Sequence, residues 1–329
     1  MIRIGLLGAS KIAPKAVINP AKSRSDCIIQ AVASRSEERA KAYADEHNIP
    51  HFETSYEALV QRDDIDLVYN ALPPSLHAEL SILAAKHGKA VLCEKPFAMN
   101  AKEAQSMVDA AEKAGTILIE GFHYRFHPSF LKFEEIIKSG RIGEIEEISG
   151  VFDVHIPNRE GELRYLPELG GGALMDLGCY PLHAMRTLTG EEPEITDAIH
   201  TRAENDVAVS SWAEMTLGKT RAHLACNMGR DAIYDNSLHI VGSKGVAKLS
   251  GFVHPYRWNP QLGFDIYVEV NGEREFISLL NSPESWKGTT YEFQLDHVMQ
   301  VLAGKTEPLT GGTDAVATMT AMDAIMAKG

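Results

Sequence analysis

The chain has 329 residues, and 32 basic against 45 acidic side chains give it a formal net charge of −13. This length favours two domains over one, and the acidic balance disfavours general binding to nucleic acid or to an anionic membrane. Hydrophobic residues make up 44% of the chain, yet no apolar run reaches the roughly 20 residues that a membrane helix needs. Neither nucleic acid nor a membrane is therefore an expected partner.

The first 120 residues alternate between predicted strands and predicted helices. The strands are short apolar runs at residues 2–7, 28–33, 66–71, 89–93 and 116–120. Helical patterns separate them at residues 11–19, 36–46, 55–59, 75–87 and 101–114. Strands that are buried on both faces have such continuous apolar runs. The alternation predicts an α/β domain with a doubly wound parallel sheet.

The pattern changes after about residue 125. A helix is predicted over 128–139, and stretches with a period of two follow it. These stretches are residues 146–155, 194–202, 207–217, 221–228, 237–241, 247–249 and 264–270. They predict a mainly antiparallel sheet, and two helices are predicted at the end, over 290–302 and 313–327. We therefore expect a nucleotide-binding domain at 1–121 and an α+β domain at 122–329, with the last helix packing back on the first domain.

The cysteines and the N-terminus indicate the compartment. Cys27, Cys93, Cys179 and Cys226 are far apart and form no C-x-x-C pair, so free buried thiols in a reducing compartment are the simplest interpretation. The chain opens on a predicted strand without a basic leader and a long apolar segment. A cytoplasmic location is expected.

The first chemical motif runs from Gly5 to Ala13, between a predicted strand and a predicted helix. It matches the dinucleotide fingerprint G-x-G-x-x-G/A with Gly8 first and Ala13 last, and Ser10 replaces the middle glycine. A small side chain still lets backbone amides approach a pyrophosphate at the helix N-terminus. A tight turn without a ligand remains the alternative.

The end of the second strand carries a cofactor-selecting motif. An NAD site usually has an acidic residue here to bind the ribose 2′-hydroxyl, whereas this chain has Ser34 and Arg35, with Arg39 one helical turn later. Serine and arginine suit the 2′-phosphate of NADP. The sequence therefore favours NADP over NAD, and a solvated arginine at a helix start is the alternative.

Two further motifs supply acid–base groups. Glu94-Lys95-Pro96 follows a buried strand, and the carboxyl ends of such strands face the ligand crevice. In the stretch from Gly170 to His183, Asp176 and Tyr180 are four residues apart and share a face if the stretch is helical. A tyrosine with a pKa of about 10 is a poor base at neutral pH, but a nearby ammonium such as Lys95 lowers that pKa. A core tyrosine is the alternative.

Five motifs together resemble the glucose–fructose oxidoreductase / inositol dehydrogenase (GFO/IDH/MocA) family. They are Gly5-x-x-Gly8-Ala9-Ser10-x-Ile12-Ala13, Pro73-Pro74-x-x-His77, Glu94-Lys95-Pro96, the segment Glu120 to Pro128, and Gly170 to Tyr180. The resemblance covers essentially the whole chain. It implies a Rossmann domain, a C-terminal domain with a large open sheet that forms a homodimer or homotetramer, and a sugar, polyol or vicinal diol as substrate.

The resemblance also implies roles for single residues. Lys95 corresponds to the family's active-site lysine, its bond to Pro96 is often cis in the family, and Asp176 corresponds to an aspartate near the substrate. Tyr180 matches the glucose–fructose oxidoreductase and dihydrodiol dehydrogenase branches, whereas the inositol dehydrogenase branch has a histidine there. The residues expected at the cofactor are Gly8, Ala9, Ser10, Lys11, Ile12, Ser34, Arg35, Arg39, Leu72, Pro73, His77, Glu94 and Lys95.

For several more polar residues, both a functional and a purely structural role fit the sequence. His183 is a candidate pocket residue or a core histidine, and Arg125 and Arg164 are candidate substrate ligands or salt-bridge partners. His123 and His127 have the spacing of a metal pair, but no third ligand stands out and the family chemistry needs no metal, so no metal site is predicted.

The sequence thus predicts an NADP-dependent oxidoreductase with Lys95 and Tyr180 as its active-site pair. Within the family, a dihydrodiol dehydrogenase and a 1,5-anhydrofructose reductase cannot be separated, because pocket loops set the substrate. The motifs are also compatible with an NAD-dependent redox-type glycoside hydrolase and with a non-enzymatic cofactor-sensing subunit. Ser34 and Arg35 disfavour the hydrolase, and the presence of both Lys95 and Tyr180 disfavours the sensor.

Overall fold

The computed structural model describes residues 1–255, 265–278, 283 and 288–329. The chain divides into two compact units. The first contains Met1–Phe122 and Tyr291–Met319, and the second contains His123–Thr290 and Thr320–Gly329. The first unit therefore includes a C-terminal segment in addition to the residues predicted for the nucleotide-binding domain.

A parallel sheet forms the centre of the first unit. Its strands within the described residues are β1 (Ile2–Leu7), β2 (Cys27–Ala33), β3 (His51–Glu53), β4 (Leu67–Asn70), β5 (Ala90–Cys93) and β6 (Leu118–Glu120). Their order is β3-β2-β1-β4-β5-β6, and every pair is parallel. The direction of strand order reverses between β1 and β4, as in doubly wound nucleotide-binding sheets. The predicted fold class is confirmed for this unit.

Helices connect these strands, and their ends follow from local sequence. They are α1 (Asn19–Lys22), α2 (Glu37–His47), α3 (Tyr56–Gln61), α4 (His77–Lys86) and α5 (Ala101–Ala114). The Asn100 side chain accepts a hydrogen bond from the Glu103 backbone N–H at the start of α5, and Gly115 ends the helix in the left-handed conformation. The predicted helix over 11–19 is different in form, because Pro14–Ile18 makes a wide π-helical turn before α1.

The second unit contains a mainly antiparallel sheet. Its helices before the last segment are α6 (Pro128–Lys138) and α7 (Cys179–Thr189). Its strands within the described residues are β7 (Ile145–Asp153), β8 (Pro193–Arg202), β9 (Ala208–Leu217), β10 (Thr220–Asn227), β11 (Asp235–Gly242), β12 (Gly245–Ser250), β13 (Ile266–Val270) and β14 (Glu273–Ile277). The order is β14-β13-β12-β11-β7-β10-β9-β8, and only the β7–β10 pair of this described sheet is parallel.

Helix α7 packs on β7 of this sheet. A Cβ atom at Gly150 would lie 2.6 Å from Cβ of Pro181, so only glycine permits this approach. Because side chains alternate along a strand, Ser149 and Val151 point to the opposite face of the sheet. This packing fixes the N-terminal turn of α7, which carries Tyr180.

The chain closes with α8 (Thr290–Leu302) and α9 (Gly312–Lys328). In the first unit, Leu295 and Val298 of α8 join the apolar core formed by β1, β4 and β5. The predicted strand over 264–270 begins at a residue outside the described part of the chain, and β13 starts at Ile266. None of the helices in the described ranges has both the length and the apolarity needed to cross a bilayer.

Candidate active site

The glycine-rich turn lies between β1 and the helical turn that follows it. Gly8 has a φ of +91°, and its backbone N–H donates to the Ala33 carbonyl on β2 at 2.9 Å. A Cβ at Gly8 would lie 2.9 Å from Cδ2 of Leu72. The Ser10 hydroxyl accepts a hydrogen bond from the Ala13 N–H. The turn thus needs a glycine first, and Ser10, which stands where the fingerprint has a second glycine, bonds to the N-cap residue of the helical turn.

Alanine at Gly8 is therefore expected to impair cofactor binding. The positive φ costs roughly 1–2 kcal/mol for an L-residue, and the new methyl group displaces Leu72. Gly88 is a matched control, because it has a φ of +71° and nothing lies within 4 Å of its Cβ position. Both variants are expected to lose thermal stability, but only Gly8→Ala is expected to lose NADP affinity in a fluorescence titration. Equal NADP affinities for the two variants would contradict this role of the turn.

The residues after β2 leave one arginine available for a ligand. Arg35 is exposed and pairs with no residue in the described part of the chain. Arg39 Nη2 donates to the Ala9 carbonyl at 2.8 Å, and the Tyr43 hydroxyl donates to the Ser10 carbonyl at 2.8 Å. Arg39 thus braces the glycine-rich turn from α2, whereas Arg35 places a solvent-facing positive charge at the same edge of the sheet.

The remaining residues expected near the cofactor differ in exposure. Ser34 and Ala9 are buried, Ile12 and Pro73 are half-buried, and Lys11 is exposed. Their contacts with a cofactor stay predictions.

His77 links the turns that follow β4 and β5. Its Nε2 lies 2.8 Å from the Leu72 carbonyl oxygen and its Nδ1 lies 3.0 Å from that of Pro96. The ring is 1% exposed, and burial lowers the pKa of His77. A neutral imidazole has one N–H to donate to these two carbonyls. The structure gives His77 a bracing role beneath the loops, and its predicted contact with the nicotinamide ribose stays a prediction.

Lys95 follows β5 at the carboxyl edge of the sheet. The Lys95–Pro96 bond is cis, and the Lys95 side chain is half-buried. Its neighbour Glu94 is buried and accepts a hydrogen bond from the Tyr69 hydroxyl at 2.6 Å. A Cβ at Gly121 would lie 3.2 Å from the Cys93 carbonyl oxygen, so a small residue there allows the close approach. Lys95 therefore stands on a well-braced turn at the edge where doubly wound sheets bind ligands.

Tyr180 lies in the second unit, in the first turn of α7. Its hydroxyl oxygen is 3.1 Å from His123 Nε2, and His123 Nδ1 is 2.7 Å from the Thr290 hydroxyl oxygen. Tyr180 is 4% exposed and His123 is fully buried. The Phe152 ring contacts Tyr180 edge-on, with ring centroids 5.5 Å apart. A histidine and a threonine from distant parts of the chain thus hold the phenol.

A second phenol–imidazole pair lies beside the first. The Tyr124 hydroxyl is 2.5 Å from Nδ1 of His183, and both side chains are buried. The Tyr124 and Tyr180 ring centroids are 6.0 Å apart. His183 therefore has a partner within the second unit, and its predicted contact with substrate stays a prediction.

Asp176 and Arg164 form an ion pair rather than two separate sites. Arg164 Nε donates to Asp176 at 2.6 Å and Nη1 donates to Glu162 at 2.9 Å. These carboxylates raise the pKa of Arg164 above its already high value. Asp176 lies in the π-helical turn Leu174–Gly178, where the four-residue spacing to Tyr180 does not by itself align two side chains. Asp176 and Tyr180 accordingly have different partners, and a substrate contact of Asp176 or Arg164 stays a prediction.

Arg125 is bound by a neighbouring helix. Its Nη1 and Nη2 donate to the Glu134 carboxylate at 2.8 and 3.1 Å, and Lys138 pairs with the same carboxylate at 2.6 Å. The guanidinium also lies 5.4 Å from the centroid of the Phe130 ring. Both ends of its fork are thus engaged with α6, and substrate binding by Arg125 stays a prediction.

His123 and His127 do not act as a pair. His127 is the N-cap residue of α6, where its Nδ1 accepts from the Ser129 backbone N–H at 3.2 Å, while His123 bonds to Tyr180. Over the residues that the structure covers, no group of three or more histidine, cysteine or acidic side chains is arranged to hold a metal ion.

Two partners were missed by sequence reasoning. Thr290 is 167 positions from His123, so no local pattern links them. The pairing of Arg125 with Glu134 could have been predicted, because the two opposite charges are only nine positions apart in the sequence.

A doubly wound parallel sheet with a glycine-rich turn after its first strand is an arrangement that binds dinucleotides. Comparison with known proteins agrees. A model described as an oxidoreductase family with an NAD-binding Rossmann fold matches residues 2–122, and a GFO/IDH/MocA C-terminal domain model matches residues 130–248. The chain belongs to the GFO/IDH/MocA family of NAD(P)-dependent oxidoreductases. The predicted family, fold class and enzyme class are confirmed.

Three similar proteins illustrate the family. D-xylose 1-dehydrogenase (NADP(+)) 2 of Haloferax volcanii is 42% identical over 186 residues, which are 56% of this chain and 57% of that protein. Trans-1,2-dihydrobenzene-1,2-diol dehydrogenase of Xenopus laevis is 32% identical over 91% of this chain and 88% of its own length. The 3-ketoreductase KijD10 of Actinomadura kijaniata, solved with NADP and TDP-benzene, is 27% identical, with a TM-score of 0.87 over 99% of this chain and 97% of its own.

Proposed function

We propose that this protein is an NADP-dependent oxidoreductase that moves a hydride between nicotinamide and an alcohol or carbonyl of a sugar, polyol or vicinal diol. The observation that carries the proposal is the exposed Arg35, which no described residue pairs with, beside the turn at Gly8. The xylose and dihydrodiol dehydrogenases among the relatives support this substrate class. A panel of aldoses, ketoses, polyols and diols, followed at 340 nm with NADP and with NAD, tests the proposal, and no turnover with any of them would refute it.

The residues of the first unit fit a phosphorylated dinucleotide. Gly8 takes a positive φ that a glycine adopts without strain, and this tight turn leads from β1 to the N-terminus of a helical segment, the kind of place at which a pyrophosphate binds. Arg35 offers a full charge where an NAD-selective protein carries an acid, and Ser34 lies next to it. When bound, NADP supplies the hydride acceptor for oxidation or the hydride donor for reduction.

Two side chains are proposed to handle the reacting oxygen. In oxidation, Tyr180 takes the proton of the substrate hydroxyl as the carbon loses hydride, and it returns the proton in reduction. Lys95 donates a hydrogen bond to the same oxygen and stabilises the negative charge that develops on it. The further groups proposed to contact substrate are Asp176, Arg125, Arg164 and His183.

Replacing Arg35 by alanine is expected to raise the KM for NADP. A hydrogen bond to a charged group contributes about 1.5–3 kcal/mol net, which corresponds to one to two decades in affinity. The KM for NAD is expected to stay constant, because NAD has no 2′-phosphate. Arg221, an exposed arginine that pairs with Glu147 on the second unit, is the control. An unchanged ratio of KM for NADP to KM for NAD in Arg35→Ala would refute the assignment.

We also propose that the protein forms a homodimer or homotetramer through the open face of the second sheet. Val151 lies opposite Ala225, and Ala225 lies opposite Trp212, so one row of half-buried apolar groups crosses three strands on the face away from α7. Light scattering on the native chain and on Trp212→Glu tests this proposal. A native monomer would refute it.

A cytoplasmic location is proposed on the cysteines. All four are buried thiols that form no disulfide in the structure, as is usual in a reducing compartment.

A further inference from the structure

We infer that His123 is a positioning residue that accepts the Tyr180 proton and so sets the pH at which the tyrosine works. This inference rests on the proposed function, because it concerns the same reaction. It rests on three contacts in the second unit: His123 to Tyr180 at 3.1 Å, His123 to Thr290 at 2.7 Å, and the stacking of His254 on His123.

The hydrogen-bond directions follow from the acidity of the two hydroxyl groups. A phenol is a much stronger acid than the alcohol of threonine, so Tyr180 is the better donor to an imidazole nitrogen. The neutral His123 ring then accepts at Nε2 and donates from Nδ1 to the Thr290 oxygen. This tautomer leaves the Nε2 lone pair directed at the phenol proton.

The surroundings keep the His123 ring in this orientation. The His254 ring stacks on it at 6.0 Å with an interplanar angle of 18°, and Phe152 packs edge-on against Tyr180. Among the described residues, the titratable groups in ring contact with the pair include His254, from the loop after β12, and Tyr124, which is bonded to His183. A ring that is held on one face and bonded at both nitrogens loses little freedom when it takes up a proton.

The proton balance of the reaction makes His123 the acceptor of the Tyr180 proton during oxidation. In oxidation the alcohol loses a hydride from carbon to the oxidised cofactor and a proton from its hydroxyl to the Tyr180 oxygen. The original Tyr180 proton passes to His123 Nε2, so the products are carbonyl, reduced cofactor and a cationic His123. Reduction reverses each transfer. Tyr180 then never has to persist as a phenolate, which is costly at neutral pH for a group whose pKa is ordinarily about 10, whereas an imidazole ordinarily titrates near 6.5.

The activity test uses His123→Gln, whose amide retains hydrogen bonding but cannot take up a proton. We expect kcat for oxidation to fall about 10²-fold, at the lower end of what positioned proton transfer contributes, with little change in KM. The native enzyme is expected to show a limb of the pH profile in the histidine range, and this limb is expected to move toward the phenol range in the variant. His87→Gln, which changes an exposed histidine after α4, is expected to behave as native.

A spectroscopic test is independent of turnover and of the folding of that variant. In ¹⁵N-histidine NMR spectra of the native protein and of Tyr180→Phe, one histidine is expected to show an unprotonated Nε2 whose shift changes when the phenol is removed. A protonated Nε2 on that histidine, or no histidine that responds, would overturn the inference. A native pH profile and native kcat in His123→Gln would overturn it as well. Lack of turnover by the native enzyme itself would instead refute the proposed function.

Discussion

Phenylalanine in place of Tyr180 is expected to lower kcat for a sugar, polyol or diol substrate by about 10²–10⁴-fold, which is the usual contribution of a general acid–base group. The variant keeps the ring that packs against Phe152 and loses only the hydroxyl that bonds to His123. Cofactor affinity is expected to stay at the native level, because Tyr180 lies in the second unit and has no proposed cofactor contact. Steady-state rates with NADP, together with a cofactor titration, measure both effects.

The control for this variant is Tyr56→Phe, which removes a tyrosine hydroxyl at the start of α3 in the first unit. It is expected to retain native rates. If Tyr180→Phe also kept a rate within a few-fold of native, the tyrosine would not be the acid–base group. The proposed role of His123 as acceptor of the Tyr180 proton would then be refuted as well.

Removal of the Lys95 ammonium is expected to have a comparable effect. Lys95→Ala deletes the donor proposed for the reacting oxygen, and loss of one such donor typically costs about 10²–10³ in kcat. The loss is expected in oxidation and in reduction alike, because the same charge develops on the oxygen in both directions. The neighbouring Glu94 keeps its hydrogen bond from Tyr69, so thermal stability is expected to change little.

Lys102→Ala is the matched control for Lys95→Ala. Lys102 is exposed in the first turn of α5, so its removal changes the net charge by the same amount without touching the proposed site. A native rate for Lys95→Ala, or an equal loss in the Lys102→Ala control, would contradict the assignment.

The first unit was predictable from sequence because its signals are local. Helix α5 begins and ends as predicted, since an asparagine caps its start and Gly115 ends it. Strand β3, with only three residues, was missed because so short a run carries no periodicity. The turn Pro14–Ile18 was predicted as ordinary helix, because sequence periodicity does not separate a π-helical turn from an α-helical one.

In the second unit, the sequence predicted most strands but not how they pair in the sheet. Alternating patterns located most of its strands, but β14 was missed, because Glu273–Ile277 has three charged residues followed by two apolar ones and so shows no alternation of polar and apolar side chains. Its sheet also contains the parallel pair of β7 and β10, which joins strands that β8 and β9 separate in sequence. Period-two patterns indicate strands but do not indicate which strands are neighbours.

Motifs nominate residues for the candidate site, but they do not predict which side chains contact one another. The assignment of Lys95 and Tyr180 as the active-site pair stays a prediction, and the partners of such side chains depend on packing between distant segments. His123 was considered as a metal ligand, and it instead bonds to Tyr180 and to a threonine 167 positions away. Arg164 was considered as a substrate ligand, and it bonds to Asp176 and Glu162. Such pairings appear only once the chain is folded.

The most direct test of hydride transfer uses an aldose that carries deuterium on the carbon of the reacting hydroxyl. The native protein is incubated with this sugar and oxidised NADP, and the reduced cofactor is analysed by mass spectrometry and NMR. Direct transfer predicts one deuterium at C4 of the nicotinamide and a primary isotope effect on the rate. Reduced cofactor without deuterium, or deuterium that appears only in water, would contradict the account.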